Sequence, residues 1–318
     1  MTREKLANLP PSLLGVLLMV GATIAFASMH GGVRYLSVEL DLHPFQIAFF
    51  RNLFGMLALA PWFLHQGIRP LHTRRIGLHT LRALINVVAM LLFFMGLSLT
   101  PIAQVQALAF TSPLFASLLA VAFLGERMRM RRWTALAVGF AGALIIIRPG
   151  AAPLDTGSLL VLASAATWSL AVIVIKTLSR TDSSVTITAY MVLLMTPMSL
   201  IPAVFFWQWP DPWQLTWLAF VGISGTLAQL AMAQALHLAD TTTVMPLDFM
   251  KLIWGSMIGY VVFSEVPHAG VWIGGGVILT SATYIAIRES RQKARDQMIR
   301  PAPPDEPDSS RTDSKDSA

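Results

Sequence analysis

Two ionisable side chains, Asp248 and Lys251, stand inside the apolar stretch MPLDFMKLIWGSMIGYVVFSE at residues 245–265. They are three residues apart, so on a helix they lie within reach of each other. A carboxylate and an amine placed there can bind a charged small molecule or carry a proton, and they can also form an ion pair that only neutralises both charges. We favour a functional role for at least one of them, because ionisable residues within a membrane span are costly.

Three more basic side chains extend the candidate set. Arg51, in the segment AFFRNLFG, either reaches toward the outer interface or pairs with Asp248 or with a carboxylate of the substrate. His30 and Arg34 are four residues apart near the end of the first apolar stretch, and we expect them to line an outer vestibule. For Arg34, reaching to the interface is the stronger interpretation.

Uncharged side chains predict a polar cavity between these groups. Its candidate members are Asn86, Gln104, Ser164, Trp168, Gln229 and Trp254, with Trp168 as the first candidate for stacking on a ring. Any one of them is more often an interhelical hydrogen bond or a packing residue. Together they predict a midplane pocket for an amphipathic metabolite that has a ring and charged ends.

The elements that must position these residues are membrane helices. The chain has 318 residues, of which 55% are hydrophobic and 13% charged, against about 25% charged in soluble domains. A span needs about 20 mostly apolar residues, and ten candidates satisfy this: 13–36, 44–65, 79–98, 102–124, 132–148, 157–178, 186–207, 214–236, 242–263 and 269–287. The predicted fold is all-α and integral to the membrane.

The basic residues predict the orientation of these spans. Alternate connections carry Arg69, Arg74, Arg75, Arg127, Arg129, Arg131, Arg132 and Arg180. The intervening connections near 37–43, 99–101, 208–213 and 264–268 carry neither Lys nor Arg. By the positive-inside rule both termini are cytoplasmic. We therefore expect a short cytoplasmic N-terminus at 1–12 and, from its Pro-, Ser- and Asp-rich composition, a disordered cytoplasmic tail at 288–318.

Several function classes are excluded or disfavoured. The net charge of +6 is explained by membrane orientation, so we expect no nucleic-acid partner. The chain has no cysteine, which excludes a thiolate metal site, and no GxxxxGK[ST] loop for ATP. The spans contain no HExxH motif, GxSxG elbow or paired aspartates, so an intramembrane enzyme is a remote alternative. We expect no cofactor.

The second half of the chain repeats the first. With a shift of 139 positions, LAVAFLGE at 119–126 aligns with IGYVVFSE at 258–265, and Phe110 with Phe249. Each half holds five spans, an odd number, so the second half must enter the membrane from the opposite side. The sequence thus predicts two inverted five-helix repeats, at 13–148 and 157–287, which is an arrangement typical of alternating-access transporters.

The segments HPFQIAFFRNLFG (43–55), SPLFASLLAVAFLGERMRMRRW (112–133) and VVFSEVPHAGVW (261–272) resemble the drug/metabolite transporter superfamily, and within it the ten-helix EamA-type carriers. The second and fourth spans look most like the S-adenosylmethionine-uptake branch, which shades into carriers of riboflavin, amino acids and metallophores. The resemblance implies the fold and the general activity, but no substrate. The segment LDFMK at 247–251 matches no ligand residue of that branch.

The leading interpretation is a secondary carrier in the bacterial inner membrane that moves a small organic metabolite by alternating access. A proton or an exchanged metabolite would drive it, with Asp248 as the candidate proton carrier. A flippase for a lipid-linked or amphipathic molecule is the alternative. The oligomeric state, monomer or homodimer, stays open.

Overall fold

The computed structural model describes residues 10–66, 73–124, 130–150, 155–179, 181–182, 184–239 and 244–299. Among these residues the elements longer than one residue are all helices, with one 3₁₀ turn in front of α10. The helices are α1 Pro11–Val38, α2 Pro44–Gln66, α3 Ile76–Leu99, α4 Ile102–Ala109, α5 Ser112–Leu124, α6 Met130–Ile147, α7 Thr156–Leu178, α8 Ser184–Val204, α9 Pro212–Leu238, α10 Met250–Phe263 and α11 Ala269–Ile299.

The helices form membrane spans. Within the described residues, nine segments are long and apolar enough to cross a membrane, with α4 and α5 counted as one. The 23-residue α2, which carries Arg51, supplies the tenth predicted crossing. The prediction of an all-α membrane protein is confirmed. Several basic residues on which the predicted orientation depends lie outside the described residues, namely Arg69, Arg127, Arg129 and Arg180, so the cytoplasmic termini stay a prediction.

The two repeats pack in a reciprocal way. The first helix of the first repeat, α1, packs along α9, the third helix of the second repeat. The first helix of the second repeat, α7, packs in the same way along α3, the third helix of the first. The two fifth helices, α6 and α11, pack against each other. Exchanging the repeats therefore reproduces the same contacts, as expected for two related halves.

The predicted fourth span, 102–124, is not one continuous helix. It breaks at Phe110–Thr111, where the Thr111 hydroxyl donates to the carbonyl of Leu108 at 2.6 Å. Pro113 explains the break, because it has no N–H to donate to the carbonyl four residues earlier. The predicted span is present, and the break lies close to its middle.

The ninth span differs in a related way. Residues Met245–Phe249 form a tight 3₁₀ turn that contains Pro246 and Asp248, and the α-helix begins only at Met250. Phe249 thus ends the turn at the position equivalent to Phe110, and the two rings lie 5.2 Å apart. The irregular points of the two repeats meet at the centre of the bundle. Broken helices at such a meeting point are a feature of transporter binding sites.

The C-terminal helix is longer than expected. α11 continues to Ile299, so disorder from residue 288 was wrong for 288–299. The segment RESRQKARDQM is rich in Arg, Gln, Lys and Ala, which are good helix formers. Residues 1–9 and the rest of the predicted tail, 300–318, lie outside the described residues.

The connections with few or no Lys and Arg residues lie at one end of the bundle. There the side-chain amide of Gln46 donates to the carbonyl of Gln208 at 2.5 Å, and the hydroxyl of Thr100 donates to Asp155 at 2.5 Å. Burial raises the pKa of the Asp155 carboxyl, but hydrogen bonds from Ser158, Thr100 and the backbone outweigh it and leave that pKa below its usual value. We call this end of the bundle the Glu265 end, because Glu265 lies there.

The opposite end holds its own polar cluster. Asp182 accepts a hydrogen bond from Thr73 at 3.0 Å and contacts the ring nitrogen of His79 at 2.8 Å. The contact with His79 lowers the pKa of the Asp182 carboxyl. These contacts join the start of α3 to the connection that precedes α8.

Backbone proximity fixes the packing of α6 on α11. A Cβ added at Gly142 would lie 2.8 Å from the carbonyl oxygen of Gly274, and one added at Gly274 would meet the carbonyl of Gly142. Two apposed glycines let the helix backbones approach closely, as small residues do in membrane bundles. On the same helix, Gly276 has nothing within 4 Å of an added Cβ.

We therefore predict that Gly274→Val destabilises the bundle by about 1–3 kcal/mol, the usual cost of overpacking. Gly276→Val is the matched control, because it places the same β-branched residue in open space on α11. Thermal unfolding of the purified protein in detergent measures both. Equal melting temperatures for the two variants would contradict the account of this contact.

Candidate functional site

A small cavity lies at the meeting point of the two repeats. Its volume is about 80 Å³, and its lining residues are His30, Phe93, Gln106, Ala109, Phe110, Asp248 and Lys251. They come from α1, α3 and α4 of the first repeat, from the break after α4, and from the start of α10 in the second repeat. Opposing repeats thus supply opposite walls of one chamber.

Asp248 and Lys251 face each other in this cavity. The ammonium group of Lys251 lies 2.7 Å from a carboxylate oxygen of Asp248, and the two side chains are only 19% and 20% exposed. The opposite face of α10 is outward, with Ile253, Met257 and Val261 exposed. The periodicity argument for an inward charged face is therefore supported. An unpaired charge at this depth would cost about 2.5–3.5 kcal/mol on insertion scales.

Aromatic rings surround the ammonium group. Lys251 Nζ lies 4.9 Å from the centroid of the Phe26 ring and 6.0 Å from that of Phe110. Ring faces attract cations, so both rings are suitable neighbours for the ammonium group. The His30 ring, one turn along α1 from Phe26, lies 5.0 Å from the Phe93 ring. The cavity therefore combines one ion pair with flat apolar surfaces.

A buried amide completes the lining. Gln106 is only 3% exposed, and within the described residues neither its amide nitrogen nor its amide oxygen has a hydrogen-bond partner. Its side chain crosses Gly255 of α10, where an added Cβ would collide with the amide. The glycine is therefore required by the close approach of this side chain.

The predicted site residues divide into two groups. Asp248, Lys251 and His30 line the cavity together. Trp168 does not: it lies on α7 with 44% of its surface exposed. Gln229 is half-buried on α9, outside the lining.

Arg51 and Asn86 are also outside the lining but are set within the bundle. The guanidinium of Arg51 donates to Asn52 Oδ1 at 3.0 Å, and a Cβ added at Gly225 of α9 would lie 3.4 Å from its Nε. Within the described chain Arg51 has no carboxylate partner, so the pairing with Asp248, one of the alternatives left open for Arg51, is not seen. Asn86 is 1% exposed, and within that same part of the chain its amide is without a partner.

Other polar side chains named from the sequence serve interhelical contacts. Gln104 donates to Ser158 at 2.7 Å, Ser164 donates to the carbonyl of Ala89 at 2.7 Å, and Trp254 donates to Thr23 at 3.2 Å. The sequence analysis predicted Gln104 as a cavity residue, whereas in the structure Gln106 lines the cavity. The two lie on opposite faces of α4, and nothing in the sequence indicates which of these faces is turned toward the cavity. The sequence did contain an indication of a role for Phe110, because this residue aligns with an identical residue, Phe249, in the second repeat.

A second ion pair closes the Glu265 end. Arg34 lies 2.5 Å from Glu265, and both side chains are 12% exposed. Arg34 also donates to the carbonyls of Leu97 and Thr100, and Glu265 accepts from the backbone N–H of Ile102 at 3.0 Å. One carboxylate and one guanidinium thus tie α1, α3, α4 and α10 together. Reaching to the interface was the interpretation favoured for Arg34, and the structure adds a partner, Glu265, that the sequence analysis did not name.

Comparisons with known proteins agree with this architecture. The sequence profile of the EamA-like transporter family matches the chain twice, over residues 13–148 and 155–287. The chain is similar to a riboflavin transporter of Vibrio cholerae, with 35% identity over 90% of this chain and 97% of that protein. It is also similar to an S-adenosylmethionine uptake transporter of Rickettsia bellii, with 28% identity over 82% of this chain and 89% of that protein. A solved crystal structure shares the fold, with a TM-score of 0.57 at 18% identity over 88% of this chain and 97% of that chain.

We predict that Arg34 and Glu265 are energetically coupled. Arg34→Ala alone leaves a buried carboxylate without its partner, which costs about 3–5 kcal/mol. Adding Glu265→Gln removes that charge, so the double variant unfolds at a higher temperature than Arg34→Ala alone. A double-mutant cycle on melting temperatures measures the coupling, and simply additive effects would rule the ion pair out as an energetic link.

Proposed function

The chain belongs to the EamA-like transporter family, and we propose that it carries a small metabolite with a flat heterocyclic ring, such as riboflavin, by alternating access. It is a multi-pass protein of the bacterial inner membrane, and its named relatives are transporters of small metabolites. The observation that carries the proposal is the cavity between the two repeats, which is lined by aromatic rings, an amide and an ion pair.

The reciprocal packing supports the alternating-access mechanism. Because exchanging the repeats reproduces the same helix contacts, two conformations with exchanged roles have similar packing energies. In the conformation described here, the Arg34–Glu265 pair joins four helices at the Glu265 end. Access to the cavity from that end requires this pair to separate.

The chemistry of the lining supports the substrate class. Phe93, Phe110 and His30 offer flat surfaces for stacking, and Gln106 offers a free donor and a free acceptor. Stacked rings prefer offset or edge contacts within about 4.5–7 Å, which is the spacing of the rings already present. The riboflavin relative covers nearly the whole of this chain, and riboflavin has a flat ring with donors and acceptors on its rim.

The size of the cavity supports a conformational change during transport. About 80 Å³ holds a few water molecules, whereas pockets for ligands of metabolite size measure about 300–1,000 Å³. Binding would therefore widen the chamber by moving α10 away from α1 and α4. The breaks at Phe110 and before Met250 are the places where the two spans bend most easily.

Coupling to protons is assigned to Asp248 in this proposal. If Lys251 loses Asp248 as a partner, cation–π contacts with the flanking rings of Phe26 and Phe110 can still stabilise its ammonium group. A proton on Asp248 would break the ion pair. The loss of this link between the 3₁₀ turn and α10 would then accompany the opening of the cavity.

The function is tested by counterflow uptake into proteoliposomes that contain the purified protein. Riboflavin, S-adenosylmethionine, amino acids and opine-like metallophores form the panel, and liposomes without protein are the control. We predict saturable uptake of riboflavin that unlabelled riboflavin inhibits. Movement of a labelled lipid between leaflets, without uptake of any soluble compound, would point to a flippase instead.

The assignment of Asp248 predicts a separation of two activities. Asp248→Asn should abolish uptake driven by an imposed pH gradient, while exchange of labelled for unlabelled substrate continues. The double variant Asp248→Asn/Lys251→Gln checks folding, because it removes the ammonium left without a partner. Glu39→Gln, at an exposed position, is the control. Gradient-driven uptake by Asp248→Asn at the wild-type rate would refute the assignment.

A further inference from the structure

We propose that Gln106 recognises the rim of the substrate ring, by donating to a ring acceptor and accepting from a neighbouring ring donor. This inference rests on the proposed function and specifies the ligand chemistry of the same cavity. The ligand class is a flat heterocycle with a hydrogen-bond donor beside an acceptor on one edge. A lactam, in which a ring N–H adjoins a carbonyl, has such an edge, and so does the amino edge of adenine.

The unpaired amide is the first observation. Gln106 is 3% exposed, and in the described part of the chain both of its polar atoms are without a partner. Leaving a buried donor or acceptor unpaired is costly, so natural structures pair almost all of them. An amide that is buried, unpaired and part of a cavity wall therefore points to a ligand as the missing partner.

The position of the amide is the second observation. Gly255 makes room for it, since a Cβ on that residue would collide with the amide nitrogen. On the same helix, Gln104 has a similar chemistry but already donates to Ser158 at 2.7 Å. Only Gln106, of these two glutamines, keeps its amide free at the wall that faces Phe110 and Lys251.

The geometry of the amide group is the third observation. A primary amide is planar, and its N–H and C=O lie side by side, so it matches a donor–acceptor pair in the plane of a ring. The rings of Phe93 and Phe110 line the same cavity and can contact the faces of that ring. The charge of Lys251 is already matched by Asp248, which favours a neutral ring edge at the amide.

Riboflavin and its N3-methyl derivative test the inference, because the methyl group removes the donor beside the ring carbonyls. The affinity of each for the purified full-length protein is measured by titration of flavin fluorescence. For the wild type, we expect methylation to weaken binding by about 5- to 150-fold, the range for a buried polar group left unpaired. For Gln106→Leu, we expect riboflavin to bind as weakly as the methyl derivative does, with a ratio near one.

Two further variants sharpen the test. Gln106→Glu keeps the acceptor but loses the donor, so it should bind riboflavin more weakly than the wild type and still prefer riboflavin to the methyl derivative. Gln104→Leu is the matched control on the same helix and should retain the wild-type ratio. S-adenosylmethionine and its N6,N6-dimethyl derivative, which has no N–H on the amino edge, form a second arm that separates an adenine edge from a lactam edge.

The outcomes separate this inference from the proposed function. Transport of riboflavin with equal affinity for the methylated form would overturn the role of Gln106 and leave the carrier intact. An unchanged ratio in Gln106→Leu would do the same, with the amide then bonded to water in the cavity. Absence of binding of either ring system to the folded wild type would overturn the proposed substrate class, and this inference with it.

Discussion

A charge inside a membrane must have a partner, and this constraint shapes the centre of the protein. Asp248 and Lys251 are paired at 2.7 Å within one turn of chain, so the start of α10 has to face the bundle. The same face then carries Gly255 and Gly259, which receive the side chains of Gln106 and Glu265. One helix face thus builds both the cavity and the contact at the Glu265 end. A lipid-facing α10 would lose all of these contacts together.

The two repeats meet where these paired charges lie, so the charges line a cavity that both repeats form. The first helix of each repeat packs on the third helix of the other, and the irregular points at Phe110 and Phe249 meet at the centre. The chamber therefore lies between the two repeats rather than inside either one. The Arg34–Glu265 pair joins the repeats at the Glu265 end, and the contact between His79 and Asp182 joins them at the opposite end.

The sequence predicted the spans, the repeat and the inward face of α10, because length, self-similarity and helical period are local properties. It did not predict that Glu265 holds Arg34, or that Gln106 rather than Gln104 faces the cavity, because these depend on how helices tilt and which neighbours they meet. Trp168 shows a further difficulty. In a membrane both the lipid and the interior are apolar, so an aromatic residue gives little sign of which one it faces.

The most direct test of the central claim is accessibility of the cavity from both sides of the membrane. The chain has no cysteine, so Ala109→Cys places a single thiol in the lining, and Leu144→Cys places one on the exposed surface of α6. A membrane-impermeant thiol reagent is applied from outside or inside oriented proteoliposomes. The account predicts that Ala109→Cys reacts from either side and is protected by riboflavin, while Leu144→Cys does not react. Reaction of Ala109→Cys from one side only, under every condition, would contradict alternating access.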